Sequence, residues 1–392
     1  MKVTFVHPDL GIGGAERLVV DAATAMRMNG HRVVIVTNSY STSHCFEESK
    51  NFEIKSVDVF PRTIFNRCAA LCAYIRMCIA ALYVAFAVET DLVFCDSISA
   101  CIIIFRAKII YYCHFPDLLL TDRETFVKTV YRSFIDRIEE WSTGMADLIC
   151  VNSKFTEEVA QATFKSLTKK LYVLYPTLNT QFFDDCQPTE IDGIPESAKY
   201  IFVSINRFEK KKRVGLAIEA FGILIKKVPE EVYRNCFLVI AGGYDKNNEE
   251  NLLHFSELRE HAVDLKIPSK QILFLKSPSD EVKVQLLRQA LTVLYTPSRE
   301  HFGIVPVEAM YMKCCVIAVN SGGPKESVDD GVTGFLVEPN AEEFAKKMAM
   351  LIGGERDAKR MGEAGYRRVI DMFSMTKFRD SLEKIVEIVF KD

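Results

Sequence analysis

Short apolar runs alternate with longer amphipathic segments through the first half of the chain. The first unit of this pattern has an apolar strand at Val3–Val6, a glycine loop at Gly11–Gly14 and a helix at Ala15–Met28. Four more apolar strands are predicted, at Arg32–Thr37, Leu92–Cys95, Lys108–Tyr112 and Leu148–Val151. Strands that alternate with helices in this way predict a doubly wound α/β domain.

The same pattern restarts in the second half. Its predicted elements are a helix at Val214–Lys227 and strands at Tyr200–Ile205, Phe237–Ala241, Ile272–Leu275, Val293–Tyr295 and Cys315–Val319. A polar stretch from Asp184 to Pro195 interrupts the order and indicates a linker. We therefore expect two Rossmann-like domains, at 1–183 and 200–375, joined by a linker at 184–199. A final amphipathic helix within 376–392 is expected to return to the first domain.

One segment, Cys68–Val88, is almost entirely apolar. Its uninterrupted part, Met77–Val88, is shorter than the roughly 20 residues of a membrane-spanning helix. Two interpretations remain open: a helix buried between the sheet and its neighbours, or an interfacial helix that docks on a bilayer. The second gives a membrane-docking segment at 64–88, flanked by the basic residues Arg62, Arg67 and Arg76.

Composition and charge narrow the function classes. The 392 residues carry a net charge of -3, which provides no general attraction to nucleic acid. The 12 cysteines are scattered without the spacing of a zinc site or a disulfide framework, which favours a reducing compartment. The apolar run at the N-terminus is too short for a signal peptide, and the sequence contains no N-x-S/T sequon. We expect a catalytic body that faces the cytosol.

The segment Glu300–Glu308 combines acidic residues with a predicted helix start. Pro306 is typical of a first helical turn, so the backbone N–H groups of Gly303, Ile304 and Val305 are expected to form an anion site. Glu308, expected in the same turn, is suited to accept hydrogen bonds from ribose hydroxyls. Glu300 is expected to reach a second group of hydroxyls.

A basic pair, Arg207 and Lys212, follows the first predicted strand of the second domain. Positive charge beside a departing nucleoside diphosphate stabilises the charge that develops in the transition state. The sequence contains no D-x-D motif, so these basic side chains are expected to replace a metal ion.

With these motifs, the chain resembles the retaining two-domain glycosyltransferases of GT-B fold that carry E-x7-E and R-x4-K. Among them it is most similar to the mannosyltransferases of the dolichol pathway. The resemblance rests on five stretches: GIGGAERLVVDAA, YYCHFPDLLL, RFEKKKRVGLAIEAF, TPSREHFGIVPVEAM and NSGGPKESVDDGVTGFLVEP.

The resemblance implies roles for the residues that match it. Arg207 and Lys212 would bind the diphosphate of GDP-mannose, Glu308 the ribose and Glu300 the mannose. In the first domain, the resemblance implies a phosphate or acceptor loop at Gly13 and Gly14, with Asp117 as a weaker candidate, and a histidine near the anomeric carbon at His114. The two domains would face each other across a cleft.

The implied reaction adds an α-1,3 and then an α-1,6 mannose to Man1GlcNAc2-PP-dolichol with retention of configuration, at the cytosolic face of the endoplasmic reticulum membrane. No cofactor is implied beyond the donor. Expected partners are the dolichyl-diphosphate oligosaccharide, the membrane surface and other early mannosyltransferases of the pathway. Alternatives are a related transferase that is α-1,2-specific or uses UDP-N-acetylglucosamine, a nucleotide-sugar epimerase, and a non-catalytic membrane scaffold.

Overall fold

A computed structural model describes residues 1–64, 68–121 and 125–391 of the chain. The chain divides into two compact units. Unit 1 comprises Met1–Thr177 together with Met375–Asp392, and unit 2 comprises Leu178–Ser374. Each unit is built around one parallel β-sheet.

Unit 1 alternates strands and helices. Its elements are β1 (Lys2–Leu10), α1 (Gly14–Met28), β2 (Arg32–Tyr40), β3 (Glu53–Ser56), α2 (Ala69–Ala87), β4 (Leu92–Asp96), β5 (Lys108–Cys113), α3 (Phe126–Thr143), β6 (Leu148–Val151), α4 (Lys154–Thr163) and β7 (Leu171–Val173). The strand order is β3-β2-β1-β4-β5-β6-β7. Successive strands are added on one side of β1 as far as β3 and on its other side from β4 onward, so the strand order reverses between β1 and β4. A doubly wound sheet binds ligands outside the carboxyl ends of its strands at such a point.

Unit 2 repeats this architecture. Its elements are α5 (Thr180–Asp185), β8 (Tyr200–Ile205), α6 (Gly215–Leu224), α7 (Glu230–Tyr233), β9 (Cys236–Gly242), α8 (Glu249–Asp264), β10 (Ile272–Lys276), α9 (Asp280–Gln289), β11 (Thr292–Tyr295), α10 (Ile304–Tyr311), β12 (Cys315–Val319), α11 (Pro324–Ser327), β13 (Gly334–Val337), α12 (Ala341–Ile352) and α13 (Ala358–Phe373). The strand order is β10-β9-β8-β11-β12-β13, with the reversal between β8 and β11.

The last helix, α14 (Met375–Lys391), returns to unit 1, as the sequence predicts. It packs against α1, and its side chains Leu382, Ile385 and Val389 join the core formed by α1 and one face of the first sheet. The apolar spacing of this helix therefore has a partner within unit 1.

The fully buried strands agree closely with the predicted ones, because buried strands are nearly continuous apolar runs. The structure adds three strands that the sequence analysis does not predict: β3, β7 and β13. All three lie at the edges of the sheets and are three or four residues long. Such short edge strands carry little hydrophobic pattern.

The apolar segment forms helix α2, which buries one side against β1, β2 and the 3-10 turn at Ser99–Ile104. Within the described residues, α2 is the single helix that is long and apolar enough to cross a membrane by length and composition, and 39% of its most apolar window is buried. Arg76 is buried, and its guanidinium donates to the Asn38 carbonyl and to Asp58. The expectation that Arg76 flanks a bilayer contact is wrong, because Asp58 already neutralises it. Arg67 lies outside the described residues.

Candidate active site

The basic pair and the acidic pair of unit 2 follow neighbouring strands. Arg207 and Lys212 lie beyond β8, and Glu300 lies in the loop after β11, which is hydrogen-bonded to β8 in the sheet. The Thr296 hydroxyl donates to the Lys212 carbonyl at 2.8 Å and ties the two loops together. The carboxyl ends of two adjacent strands thus deliver both motifs to one place in unit 2.

Lys212 and Glu300 form an ion pair, with 2.6 Å between Nζ and Oε2. Both side chains are largely buried, so this pair is shielded from water more than a surface salt bridge is. Lys212 is the residue expected to bind the diphosphate, and Glu300 is the one expected to bind the sugar. Their ion pair therefore holds both side chains in position.

Arg207 reaches a different carboxylate. Its guanidinium lies 3.0 Å from Glu209 Oε1, and Lys211 pairs with the other oxygen of the same carboxylate at 3.1 Å. Arg207 is mostly exposed whereas Glu209 is mostly buried. The guanidinium therefore remains accessible to an anion.

Helix α10 begins at Ile304, directly after Gly303, as the sequence predicts. Gly303 has φ of 80°, and a Cβ there would lie 2.8 Å from the Tyr295 hydroxyl, so only glycine fits this helix start. The expectation that Glu308 lies in the first turn is wrong. It is the fifth residue of the helix, beyond the first 3.6-residue turn.

Glu308 is held by a lysine that the sequence analysis does not identify. Lys283 Nζ, from α9, lies 2.9 Å from Glu308 Oε1, and both side chains are largely buried. Burial alone would lower the pKa of Lys283, but the neighbouring Glu308 carboxylate raises it. Lys283 is therefore a fixed positive charge that orients Glu308.

A glycine turn supports the Glu300 loop from behind. The Gly323 amide donates to the Glu300 carbonyl at 2.8 Å, and a Cβ on Gly323 would lie 2.1 Å from the Phe302 carbonyl oxygen. Gly322 has φ of 66° and would bring a Cβ to 2.3 Å from the Glu300 oxygen. The backbones at 300–302 and 322–323 approach too closely for any side chain between them.

In unit 1, His114 belongs to a buried polar cluster, which we call the His–Asp–His cluster: His7, Asp96 and His114. His7 Nδ1 hydrogen-bonds Asp96 Oδ2 at 2.8 Å. His114 Nε2 lies 2.8 Å from Asp96 Oδ1, an ion-pair distance without the alignment of a hydrogen bond. Asp96 is fully buried, whereas His114 is partly exposed. His114 is thus the member of the cluster that solvent or a ligand can reach.

The electrostatics of the His–Asp–His cluster favour charged side chains. Burial alone would lower the pKa of His7, but the carboxylates of Asp96 and Glu16 outweigh it and raise the pKa to about 9. Burial alone would likewise raise the pKa of Asp96, but the two histidines hold it well below its usual range. Glu16 lies 3.9 Å from His7 Nε2, an ion-pair distance longer than a hydrogen bond. The cluster is therefore a negative Asp96 beside a positive His7.

The glycine loop lies next to the His–Asp–His cluster. Gly13 caps the N-terminus of α1 and Gly14 is the first residue of that helix. A Cβ on Gly13 would lie 2.3 Å from a carboxylate oxygen of Glu16, the side chain that faces His7. Two predicted features of unit 1, the loop and His114, are thus connected through His7, Asp96 and Glu16.

Asp117 is engaged in the structure of unit 1. Its carboxylate lies 2.7 Å from the buried Arg132, and its backbone N–H donates to Glu139 at 2.7 Å. Burial, and to a lesser degree the charge of Asp117, raises the pKa of Glu139 to about 7. These contacts fix the turn after His114. They give Asp117 a structural role.

Among the described residues, no group of three or more His, Cys, Asp or Glu side chains is placed to hold a metal ion. The positive charges around the acidic motifs come from Arg207, Lys212 and Lys283. What the sequence analysis misses is the set of partners: Lys283, Glu209, His7 and Asp96. His7 and Asp96 each directly follow a predicted strand, Val3–Val6 and Leu92–Cys95, but the sequence does not show that these strands are neighbours.

The comparisons with known proteins agree with this arrangement. Residues 189–368 match the family model "Glycosyl transferases group 1", and residues 12–182 match "Glycosyltransferase Family 4". The chain is 48% identical to the human alpha-1,3/1,6-mannosyltransferase ALG2, over 98% of this chain and 95% of the human protein. It is 41% identical to the Dictyostelium discoideum protein of the same name, over 99% and 98% of the two chains.

Solved structures share the fold. A glycosyltransferase from Rickettsia africae is 20% identical, with a TM-score of 0.75 over 100% of this chain and 99% of that one. Anabaena HepE in complex with UDP and glucose is 19% identical, with a TM-score of 0.70 over 99% of both chains. At these identities the likeness concerns the two-domain GT-B fold alone.

Proposed function

The chain belongs to the ALG2 family of alpha-1,3/1,6-mannosyltransferases, and we propose that its donor is GDP-mannose and its acceptor Man1GlcNAc2-PP-dolichol. As a member of this family, it is a glycosyltransferase of lipid-linked oligosaccharide synthesis. The proposed products carry first an α-1,3 and then an α-1,6 mannose. The observation that carries the donor proposal is the pairing of each motif glutamate with a largely buried lysine, Lys212 with Glu300 and Lys283 with Glu308.

The donor is proposed to bind unit 2 in three parts. Arg207 and Lys212 hold the diphosphate, and the N-terminal N–H groups of α10 contribute partial positive charge. Glu308 accepts hydrogen bonds from the ribose hydroxyls, oriented by Lys283. Glu300 accepts hydrogen bonds from mannose hydroxyls, and its contact with Lys212 places the sugar beside the diphosphate.

The chemistry then follows from charge. The bond between the anomeric carbon and the diphosphate oxygen breaks, and the negative charge that develops is stabilised by Arg207 and Lys212. The leaving diphosphate takes the proton of the acceptor hydroxyl, which attacks on the same face and gives retention. In unit 1, His114 is proposed as a catalytic residue, with the buried Asp96 carboxylate 2.8 Å from its ring.

The proposal is tested by removing one charge. A Lys212→Ala variant is expected to lose about 10²- to 10³-fold in kcat, because that loss is typical when a group that stabilises developing charge is removed. Lys211→Ala is the matched control: it is the adjacent lysine, with 70% of its side chain exposed and no contact to Glu300 in the structure. Unchanged mannosyl transfer by Lys212→Ala, or an equal loss in Lys211→Ala, would contradict the assignment.

Donor identity is tested separately by competition. GDP is expected to inhibit mannosyl transfer, whereas UDP is expected to be weaker. The reverse order would favour the alternative of a UDP-sugar donor. Products with one and two added mannoses, from GDP-mannose and a lipid-linked acceptor that carries one mannose, would support both linkages.

We propose that this reaction takes place at the cytosolic face of the endoplasmic reticulum membrane. The 12 cysteines, all free in the structure, suit a reducing compartment.

A further inference from the structure

Helix α3 of unit 1 buries Ile135 in a small core with Tyr74 and Ala100, and it leaves a second apolar side exposed. Its charged and polar residues Arg132, Glu139 and Ser142 are buried. Its apolar residues Phe126, Val130, Phe134 and Trp141 are exposed, and the aromatic ones are 83%, 64% and 56% accessible. A surface helix of a globular protein normally presents its apolar stripe to the core.

The buried polar residues of α3 are bonded to neighbouring segments of unit 1. Arg132 pairs with Asp117 at 2.7 Å, Glu139 accepts the backbone N–H groups of Asp117 and Leu118, and Ser142 hydrogen-bonds Ser99 at 2.8 Å. These contacts and the burial of Ile135 hold this side of the helix inward. The exposure of the aromatic side is therefore built into the packing of unit 1.

The exposed side chains form one continuous surface, which we call the α3 apolar face: Phe126, Val130, Phe134 and Trp141. Their spacings of four, four and seven residues place them on one side of a helix. Two further exposed leucines, Leu119 and Leu120, lie in the turn before the helix. The largest contiguous apolar patch on a monomer's surface is often functional.

Charge and composition identify the partner. Arg137 lies within the α3 apolar face, since it follows Phe134 by three residues and precedes Trp141 by four, and it is exposed. Lys165 is exposed in a loop beside the end of α3. Glu140 of α3 holds this loop by accepting a hydrogen bond from the Ser166 backbone N–H. Tryptophan and phenylalanine beside basic side chains suit the headgroup region of an anionic bilayer.

The size of the face argues against a second copy of this chain as the partner. An 18-residue helix is about 27 Å long, and a stripe about 10 Å wide along it covers about 270 Å². A stable protein interface needs about 800 Å² from each partner. A bilayer sets no such minimum, because each inserted side chain contributes independently.

We propose that the α3 apolar face is the surface by which this protein docks on an anionic lipid bilayer. The assignment deepens the proposed function, because a lipid-linked acceptor is presented at a membrane surface, and it rests on that function in this respect. It differs from docking through α2, which remains the alternative interpretation of the apolar segment.

The chain carries its own probe for the test. Trp141 is the only tryptophan of the sequence and lies within the α3 apolar face. The full chain is mixed with phosphatidylcholine vesicles, with and without phosphatidylserine, while tryptophan emission and vesicle flotation are measured. We expect a shift of the emission to shorter wavelength and co-flotation, both stronger with phosphatidylserine.

Two variants locate the contact. Phe126→Ser with Phe134→Ser keeps the probe and is expected to weaken vesicle binding at least about tenfold, given the apolar area that each side chain buries. The matched control is Leu82→Ser with Phe86→Ser, which removes two exposed apolar side chains from α2 and is expected to bind as the wild type does. Arg137→Glu is expected to weaken binding only to the vesicles that contain phosphatidylserine.

Several results would overturn the proposal: no vesicle binding by the wild type, loss of binding in the α2 variant alone, or a dimer that the α3 variant disperses while vesicle binding persists. Mannosyl transfer to a water-soluble acceptor analogue separates this proposal from the proposed function. Activity retained in the α3 variant supports a docking role, whereas a wild type that binds vesicles but transfers no mannose contradicts the function and leaves the docking surface standing.

Discussion

Replacing Asp96 by Asn removes the negative charge at the centre of the His–Asp–His cluster while nearly preserving shape. The amide can still hydrogen-bond His7, so we expect the fold of unit 1 to persist. What changes is the protonation of His7. Burial favours its neutral form, and the pKa of about 9 depends on the carboxylates that face it. Without Asp96, the pKa of His7 is expected to fall to or below the ordinary value of 6.5.

The magnitude follows from linkage. A rise in the pKa of His7 from 6.5 to about 9 corresponds to about 3 kcal/mol of stabilisation of the folded state, since a tenfold change in proton affinity is about 1.4 kcal/mol. Because the folded-state pKa is the higher one, this stabilisation is fully present below pH 6.5. It is lost as the pH rises through about 9, where folded His7 gives up its proton.

Two measurements test this reasoning. In the wild type, one histidine resonance is expected to titrate near pH 9 in an NMR titration, and in Asp96→Asn that resonance is expected to titrate at or below 6.5. The free energy of unfolding in urea is expected to decrease between pH 6.5 and 9 in the wild type, and the variant is expected to lose this decrease. Glu16→Gln is the control, because Glu16 lies farther from His7, at 3.9 Å against 2.8 Å, and its removal should have a smaller effect. Identical titration curves for wild type and Asp96→Asn would refute the reasoning.

Three further predictions concern other parts of the two units. Gly323→Ala is expected to displace the Glu300 loop and destabilise the protein by about 1 to 3 kcal/mol, measured by thermal unfolding, whereas Gly353→Ala, with its nearest atom 3.4 Å away, should be mild. Arg132→Met removes the cation that faces the largely buried Asp136 and the partly exposed Asp117, and it is expected to cost about 3 to 5 kcal/mol in urea unfolding; a loss below about 1 kcal/mol would contradict this. Mannosyl transfer is expected to be unaffected by EDTA, and a loss that magnesium restores would show that the basic side chains do not replace a metal.

The positions of the charged motifs in unit 2 were predictable from the sequence. A doubly wound sheet exposes the loops after its strands at the carboxyl edge, and Arg207, Lys212 and Glu300 follow strands that the apolar runs identify. The identity of their partners was not predictable. Lys283 reaches Glu308 from the helix α9, across 25 positions of sequence, and no spacing rule connects two residues on different helices.

The His–Asp–His cluster shows the same limit in unit 1. His7 directly follows the predicted strand Val3–Val6, and Asp96 directly follows the predicted strand Leu92–Cys95. They become neighbours because Val6 is paired with Cys95 in the parallel register of β1 and β4, which brings the next residue of each strand side by side. Strand order and register are long-range properties, set by how the helices cover the sheet, and a single sequence does not fix them.

Helix α3 shows a limit of a different kind, since its pattern is strong but its direction is ambiguous. Hydrophobic spacing tells which residues share a side of a helix, and it is ordinarily assumed that this side faces the core. In α3, Arg132 and Glu139 are held inside by the turn at Asp117–Leu119, so Phe134 and Trp141 point outward. Helix α2 is the more apolar of the two helices, but β1 and β2 already cover one of its sides. For docking on a bilayer, the accessible apolar surface matters more than the apolar content of the segment.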